Sequence, residues 1–574
     1  MKNKSPAIVR YLELNLGNSG PADRFTPGRF RQDTELETLR IIRRACTDKR
    51  LDGIFVNTSG FSANREYLWE LRIELEKCKT SGKKIAAYFD NADLDLYCMV
   101  SAADKIIMDQ GGMLSIMGYS WGRFFLKESM EKLGIGFREL RYLHYKSANE
   151  TFSRTSISDA DREQYGLYLD EIFELSKNTV LKNRSISGDD FNSVLKDGIV
   201  LSASEAKKRG LADAAGREEA IRRTIELMEF GENEKGEIAF IAAGNPGFSL
   251  FNPGQKTPRY MPARAGRFTR SEIAVVHAKG NTDMESGMGA RNIARIIREL
   301  SGKARIRAII VRIDSPGGSA VAADFVAAAI RDAKKEIPVV VTMGQTAASG
   351  GYWAGMYGSH ITASPYTLTG SIGVIAGWFF DRGFNAKLGL GTESLIRGEH
   401  ADLMTGVILP YRDLSEDEED QFKNALLDMY ADFTGKAAEG RGMKTEAVEK
   451  LAQGRVYSGL SALRLNLTDS LGGYMDALDT AKKLAEIPEG KKIRIREYPK
   501  PKFIDNIAAR LFSSADMASA APLLAASVTA EPVPAGPAFA APALAGKLRK
   551  ELNYRISHNG QAMPLASAGF WERG

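Results

Sequence analysis

The chain repeats itself, and this repeat restricts its fold more than any other feature of the sequence. A shift of about 255 residues places the apolar run 53–56 on 308–311 and the pair 105–106 on 360–361. At a shift of about 256, matching residues of the two halves are Val200, Ala206, Leu211, Asp213 and Gly216 with Val456, Ala462, Leu467, Asp469 and Gly472. Self-similarity over this length indicates one fold used twice.

Each half alternates helical patterns with short buried strands. In the first half the pattern predicts helices near 35–47 and 64–79, strands at 53–57 and 84–89, and a further helix after 94. This alternation is typical of a parallel α/β domain. The predicted organisation is an N-terminal domain at 1–228, a linker at 229–269, a C-terminal domain at 270–510, and an Ala/Pro-rich linker with a tail at 511–574.

The composition argues against several classes of function. Lys and Arg number 78 against 72 Asp and Glu, without a long basic run, so a nucleic-acid partner is not expected. Cys46, Cys78 and Cys98 lack CxxC or metal-type spacing, so we expect neither a disulfide framework nor a metal site. The N-terminus has no signal-peptide core, and prolines interrupt the apolar stretch 515–546 well short of a membrane span.

The most informative motif is a strand, turn and helix junction at Ser349. The β-branched run 339–342 passes through small residues to this serine, and Gly and Ala at helical spacing follow it. Such a junction holds a serine at a helix N-terminus, where the dipole and free N–H groups favour a developing negative charge. Two interpretations are open: a nucleophile, or a serine that only caps the helix.

A second junction of the same kind lies upstream. The buried-type strand 307–313 runs into a turn that contains Gly317 and Gly318, and an Ala-rich helix follows. Glycine lets backbone N–H groups face outward at a strained turn. We predict that the N–H of Gly350, together with that of Gly317 or Gly318, forms an oxyanion hole.

The repeat shows that the first half lacks this site. Ser349 falls on Leu94, and the glycine pair 317–318 falls on 62–63, which are Ser and Ala. The first half therefore has neither the nucleophile nor the Gly-Gly turn, and we expect it to be inactive alone.

The first half instead carries Lys146, directly after an aromatic strand-like run, where the second half has Ala401. A serine nucleophile needs a base, and burial beside apolar groups disfavours the ammonium and lowers the pKa of a lysine. Tyr142 and Tyr145 are the residues expected to provide such surroundings. The competing interpretation is a surface lysine whose ammonium stays in water.

Other chemistries have less support. The five histidines, His144, His277, His360, His400 and His558, form no HExxH motif, and Ser349 is not in a GxSxG elbow. Segment 399–402 is more typical of a solvated loop than of a triad fragment or a set of metal ligands. Nucleotide-binding glycine motifs are missing, so no cofactor is expected.

Four motifs belong together: Asp-Ser-Pro-Gly-Gly at 314–318, Thr-Ala-Ala-Ser-Gly-Gly-Tyr at 346–352, Thr-Gly-Ser-Ile-Gly at 369–373 and Tyr-Lys-Ser-Ala at 145–148. They resemble the signal peptide peptidase A (protease IV) family in its long, duplicated form. The resemblance covers about residues 5–485 and implies two crotonase-like (Clp protease-like) α/β domains. It also implies a Ser/Lys dyad of Ser349 and Lys146, with Ser371 as the hydrogen-bond partner that orients the lysine.

The same resemblance implies the substrates and the setting. They are signal peptides or other extended hydrophobic peptides, hydrolysed by a homo-oligomer that in this family is a tetramer. Family members are usually anchored in the bacterial cell membrane, but this chain begins where the anchor would end, so we expect a soluble or peripheral membrane protein. Two other functions stay open: a crotonase-type acyl-CoA thioester enzyme and an inactive peptide-binding scaffold.

Overall fold

The computed structural model describes residues 7–17, 34–197, 199–232, 236–243, 260, 271–391, 393–406, 408–491 and 493–499. Within these ranges the chain forms two α/β halves, each built on its own mainly parallel sheet. The predicted Ala/Pro-rich linker and tail, and His558 within it, lie outside the described residues.

The first half alternates strands and helices. Its strands are β1 (Ala7–Asn15), β2 (Gly53–Asn57), β3 (Lys84–Ala92), β4 (Lys105–Leu114), β5 (Ile135–Leu140), β6 (Ala214–Ala215) and β7 (Gly236–Ala242). Its helices are α1 (Thr34–Thr47), α2 (Arg65–Thr80), α3 (Leu94–Val100), α4 (Lys127–Leu133), α5 (Glu150–Ser153), α6 (Asp159–Arg184), α7 (Gly188–Asp197), α8 (Ala203–Lys208) and α9 (Glu218–Phe230). The helices and strands predicted before residue 100 are confirmed to within a few residues.

The second half follows the same alternation. Its strands are β8 (Glu272–Lys279), β9 (Ile306–Ser315), β10 (Val339–Ala348), β11 (His360–Ala363), β12 (Leu368–Gly370), β13 (Ala376–Asp381), β14 (Val456–Ser458), β15 (Ser470–Leu471) and β16 (Arg494–Tyr498). Its helices are α10 (Ala290–Ser301), α11 (Ala320–Ala333), α12 (Gly350–Gly355), α13 (Phe384–Lys387), α14 (Glu416–Arg441), α15 (Thr445–Leu451), α16 (Gly459–Arg464) and α17 (Tyr474–Leu484).

The two sheets share one plan, which confirms the duplicated α/β fold. The first has the order β6-β4-β3-β2-β1-β7 and the second β14-β12-β10-β9-β8-β16, with β11 joined to β10 and β15. In each half the first three strands lie side by side in parallel. The last strand of the half pairs in parallel with the first strand and forms the edge of the sheet. Helices α6 and α14, which correspond in the repeat, are both 26 residues long.

The two halves share a hydrophobic core. Alternate residues of the central strands face opposite sides of the second sheet, as the period of a strand requires. On one side Ile309 and Val311 pack with α10 and α11. On the other side Ile310 belongs to the same buried cluster as Leu71 and Leu75 of α2, in the first half. Helices of the first half therefore cover one face of the second sheet.

A separate two-stranded sheet also joins the halves. Strand β5 of the first half pairs antiparallel with β13 of the second, so that Leu140 lies opposite Ala376. Lys146 follows β5 by six residues, and Ser371 precedes β13 by five. This pairing is what brings the two residues, so far apart in the chain, to the same place.

The predicted linker at 229–269 is not wholly a linker. Helix α9 extends to Phe230, and β7 pairs in parallel with β1 along the edge of the first sheet. This prediction was wrong for residues 236–242, because a strand of seven residues with alternating burial gives only a short signal beside Gly, Pro and Asn. The outer limits of the two domains stay predictions.

The expectation of no disulfide was also wrong. Cys46 and Cys78 form a disulfide, with 4.4 Å between their Cα atoms, and Cys98 is a buried free thiol. The two bonded cysteines lie on α1 and α2, which pack against each other. No short spacing motif marks a pair that is 32 residues apart and is brought together only by helix packing.

Candidate active site

Ser349 lies between the end of β10 and the start of α12. Its φ is 56° and its ψ is −117°, a conformation that non-glycine residues rarely adopt and that is common where a site holds strain. Its N–H donates to the Gly370 carbonyl at 2.8 Å. Two residues further on, Gly351 packs so closely that a Cβ there would lie 2.4 Å from the Ser315 carbonyl oxygen. The predicted strand, turn and helix are confirmed, and the glycines after Ser349 are explained by this close packing.

Lys146 reaches Ser349 within the same chain. Its Nζ lies 2.6 Å from Ser349 Oγ, 2.9 Å from Ser371 Oγ and 2.8 Å from the Ser371 carbonyl oxygen. The three residues are 1%, 0% and 1% exposed, in the order Lys146, Ser349 and Ser371. The amine is thus removed from bulk water and held by three oxygen atoms, which excludes the interpretation of Lys146 as a surface lysine.

The position of Lys146 in the chain differs from the one predicted. It does not follow a strand directly, because β5 ends at Leu140 and residues 141–149 form a loop and turns. Its amine contacts oxygen atoms of Ser349 and Ser371, and the hydroxyl of Tyr145, one of the two tyrosines expected beside it, donates to Glu163 at 3.0 Å. Gly454 packs closely against the backbone of Lys146, since a Cβ added to Gly454 would lie only 2.6 Å from the Cβ of Lys146.

The turn that contains Gly317 and Gly318 lies against the start of α12. Both glycines have positive φ, 108° and 153°, and a Cβ on Gly350 would lie 3.2 Å from the Gly318 backbone nitrogen. The N–H of Gly317 donates to Ser315 Oγ at 3.2 Å. The first helical hydrogen bond of α12 runs from Trp353 to Ser349, which leaves the N–H of Gly350 at the open helix end. Of the three N–H groups predicted to form an oxyanion hole, that of Gly317 is therefore already bonded within the turn.

Sequence reasoning missed Thr282, which supports this turn. Its N–H donates to the Gly317 carbonyl at 2.8 Å, its carbonyl accepts the Ser319 N–H at 2.7 Å, and its hydroxyl is 2.9 Å from Ser315 Oγ. The residue is fully buried. These bonds use mainly backbone atoms, so no residue pattern could have revealed them.

The matching position of the first half has no nucleophile. The residue at the N-terminus of α3 is Asp93, one residue before the predicted equivalent Leu94, and its side chain accepts the Leu96 N–H at 2.8 Å. Beside it lies a cavity of about 510 Å³, lined by residues that include Ser62, Ala63 and Asp93. The second half therefore holds the candidate catalytic serine of the described chain.

Histidines take part in other contacts. His400 Nδ1 lies 2.8 Å from Glu418 Oε1, which also accepts from Arg412, and His277 Nε2 lies 3.0 Å from Glu497. His360 Nε2 lies 2.8 Å from Ser470 Oγ. The described contacts of Ser349 Oγ involve Lys146 and no histidine.

A serine on a strained turn beside open backbone N–H groups, in a duplicated α/β fold, places the protein among α/β serine peptidases. The chain belongs to peptidase family S49, whose model matches residues 77–229 and 331–488, more than half of the chain. The fold is accordingly of the crotonase-like, Clp protease-like class.

The chain is similar to several proteases. The chain is 28% identical over 467 residues to the chloroplastic serine protease SPPA of Arabidopsis thaliana, covering 80% of this chain and 67% of that protein. It is 28% identical over 476 residues to Protease 4 of Salmonella typhi, covering 80% and 74%. Among solved structures it resembles ClpP1 from Listeria monocytogenes, with 15% identity and a TM-score of 0.24 over 36% of this chain and 94% of that one.

Proposed function

We propose that the protein is a serine endopeptidase in which Ser349 is the nucleophile and Lys146 the general base. The observation that carries the proposal is the 2.6 Å separation of Lys146 Nζ and Ser349 Oγ in a site that is nearly closed to water. A hydroxyl becomes an effective nucleophile when an adjacent base removes its proton. A neutral amine at hydrogen-bond distance is such a base.

In the first step the Ser349 hydroxyl transfers its proton to Lys146 Nζ while Oγ bonds to the scissile carbonyl carbon. The tetrahedral intermediate then collapses, the C–N bond breaks, and the Lys146 ammonium returns the proton to the leaving amine. A water molecule then gives a proton to the same amine while its oxygen bonds to the acyl carbon. The ester C–Oγ bond breaks, the Lys146 ammonium returns the proton to Ser349 Oγ, and the new carboxyl terminus leaves. Proton and charge thus balance over the cycle without any further group.

Ser371 is assigned the role of orienting the Lys146 amine. A neutral amine has two N–H groups and one lone pair. The N–H groups can donate to Ser371 Oγ and to its carbonyl oxygen, at 2.9 and 2.8 Å, so that the lone pair faces Ser349. In this arrangement the Ser349 hydroxyl donates to Nζ.

The oxyanion of the intermediate is assigned to backbone donors. The N–H groups of Gly318 and Gly350 form the primary pair, while that of Gly317 joins only if it leaves Ser315 Oγ. Donors fixed in advance of the reaction stabilise the charge that develops in the transition state. No cofactor or metal is assigned a role.

The substrates proposed are signal peptides or other extended hydrophobic peptides, bound by main-chain hydrogen bonds beside a strand. The assembly proposed is a homo-oligomer, a tetramer by family resemblance, that works free of the membrane or at its surface. None of the helices in the described part of the chain is long and apolar enough to cross a bilayer.

The test measures cleavage of a fluorogenic hydrophobic peptide and labelling by a fluorophosphonate, which reacts with activated serines. The native protein should cleave the peptide and be labelled at Ser349, and Ser349→Ala should do neither. Hydrolysis of acyl-CoA thioesters without peptide cleavage would favour the thioester enzyme. Peptide binding without labelling or cleavage would favour the inactive scaffold.

A further inference from the structure

The backbone carbonyls on both sides of Lys146 are held by side chains from other parts of the first half. The Tyr145 carbonyl accepts from Gln164 Nε2 at 3.0 Å, and the Ser147 carbonyl accepts from Arg123. Arg123 is itself paired with Asp161 at 2.6 Å, and both side chains are nearly fully buried. The loop that carries the lysine is therefore fixed on either side of its Cα atom.

The other end of the Gln164 side chain contacts the second half. Its Oε1 accepts the N–H of Val456 at 3.0 Å. Val456 pairs antiparallel with Gly370, whose carbonyl accepts the Ser349 N–H at 2.8 Å. The side-chain amide of Gln164 thus connects the carbonyl before Lys146 to Val456, which pairs with β12, the strand whose Gly370 carbonyl accepts the Ser349 N–H.

The same segment also holds Ser371. The Arg455 carbonyl, next to Val456, accepts the Ser371 N–H at 2.6 Å. Gly454, one residue earlier, packs against the backbone of Lys146 and donates to the Ile372 carbonyl at 2.8 Å. A shift of Val456 away from Gln164 would therefore move both serines relative to the amine.

We propose that Gln164 is a positioning residue that sets the distance between Lys146 Nζ and Ser349 Oγ. The inference rests on the proposed Ser/Lys function and deepens it. Gln164 is 2% exposed and lies on α6, a helix of 26 residues whose N-terminus is capped by Ser158. A rigid, well-packed support of this kind is what a site with sub-ångström tolerance requires.

The test compares Gln164→Met, which removes both ends of the bridge at similar length, with Gln164→Glu, which keeps an acceptor for Val456 but, when ionised, can donate neither to Tyr145 nor to Asp161 Oδ1, which lies 2.8 Å from the Gln164 amide nitrogen. We expect both to lower kcat about 10- to 100-fold with KM changed little, since displacement by about 1 Å can cost that much. We also expect the rise of kcat/KM with pH to move to higher pH, because water reaches a less constrained amine. Urea midpoints check that each variant is folded, and fluorophosphonate labelling of Ser349 is carried to completion before active protein is counted.

The matched control is Tyr97→Phe, which deletes a buried hydrogen bond of the first half, from the Tyr97 hydroxyl to the Leu211 carbonyl at 2.7 Å. It should keep the native kcat and pH profile. Native kcat and an unmoved pH profile in a folded Gln164 variant would overturn the positioning role. Activity in Lys146→Ala would instead overturn the proposed function, whatever the Gln164 variants do.

Discussion

Glu66 of the first half and Arg312 of the second form a buried ion pair between the halves. Glu66 is the second residue of α2, and Arg312 lies on β9 shortly before the turn at Gly317. Arg312 also pairs with Glu70 at 3.1 Å, and its guanidinium lies 4.2 Å from the centre of the Tyr474 ring. Burial raises the pKa of the Glu70 carboxyl well above its ordinary value. Arg312 therefore places one cation beside two buried carboxyl groups where the halves meet, and its charge opposes the effect of burial on them.

The first prediction is that Arg312→Met strongly destabilises the protein. It leaves two buried carboxyl groups without their cation, a change that costs about 3–5 kcal/mol when one partner of a buried pair is lost. The free energy of unfolding in urea measures it. Arg295→Met, which breaks an exposed pair with Glu299, is the control and should lose about 1 kcal/mol or less.

A triple variant separates the unpaired charges from the loss of packing. Glu66→Gln and Glu70→Gln in the Arg312→Met background remove the two ionisable carboxyl groups while keeping their size. They should restore part of the lost stability. If Arg312→Met unfolds at the same urea concentration as Arg295→Met, the buried cluster does not join the halves.

The second prediction is that the two members of the dyad act as a unit. Ser349→Ala, Lys146→Ala and the double variant should all fall to a similar residual rate, roughly a thousandfold or more below the native kcat/KM, because residues that act together are not additive. Lys335→Ala removes an exposed lysine paired with Asp332 and should leave activity unchanged. Appreciable turnover by folded Lys146→Ala would contradict the dyad.

The sequence predicts the repeated fold because its evidence is spread over hundreds of residues. Strand β2 lies within a residue of its predicted limits, and the junction at Ser349 is where small residues follow a β-branched run. The strand β7 was missed because its seven residues lie in a segment rich in Gly and Pro. Local patterns identify elements well where they are long or repeated, and poorly where they are short.

The candidate site is only partly visible in the sequence. Ser349 and Lys146 stand out because the repeat shows what each half lacks, although 203 residues separate them. Thr282 and Gln164 do not stand out, since they act through backbone N–H and carbonyl groups that every residue carries. Supporting residues of this kind follow from the packing of distant segments, which no local pattern describes.

The third prediction concerns stability in acid. Hydrogen bonds from Arg412 hold the pKa of the Glu418 carboxyl well below its ordinary value. A carboxyl with a depressed pKa contributes stability above its unfolded value, about 4.3, and this contribution is lost as the pH falls through the folded pKa. Urea midpoints of the native protein should therefore fall more steeply below pH 5 than those of Arg412→Gln.

The control for acid stability is Arg222→Gln, which breaks an exposed pair with Glu218. Its urea midpoints should run parallel to the native ones, because an exposed pair contributes little. Parallel curves for native protein and Arg412→Gln down to pH 3 would show that Arg412 does not stabilise the ionised Glu418.

The last prediction concerns the pH dependence of catalysis and follows from a lysine acting as a base. Only the uncharged amine can take the Ser349 proton, so kcat/KM should rise with pH to an alkaline plateau. The rise should be centred below 10.4, the ordinary pKa of lysine, because a side chain that is 1% exposed has lost the water that stabilises its ammonium.

Ser371→Ala removes one hydrogen-bond acceptor of the Lys146 amine and leaves the other, the backbone carbonyl of residue 371 at 2.8 Å, in place. The plateau of this variant should therefore fall about tenfold, less than in Lys146→Ala. The measurement is kcat/KM against pH with a substrate that does not titrate. A rise centred near 6.5 and abolished by His400→Ala or His144→Ala would identify a histidine as the base instead.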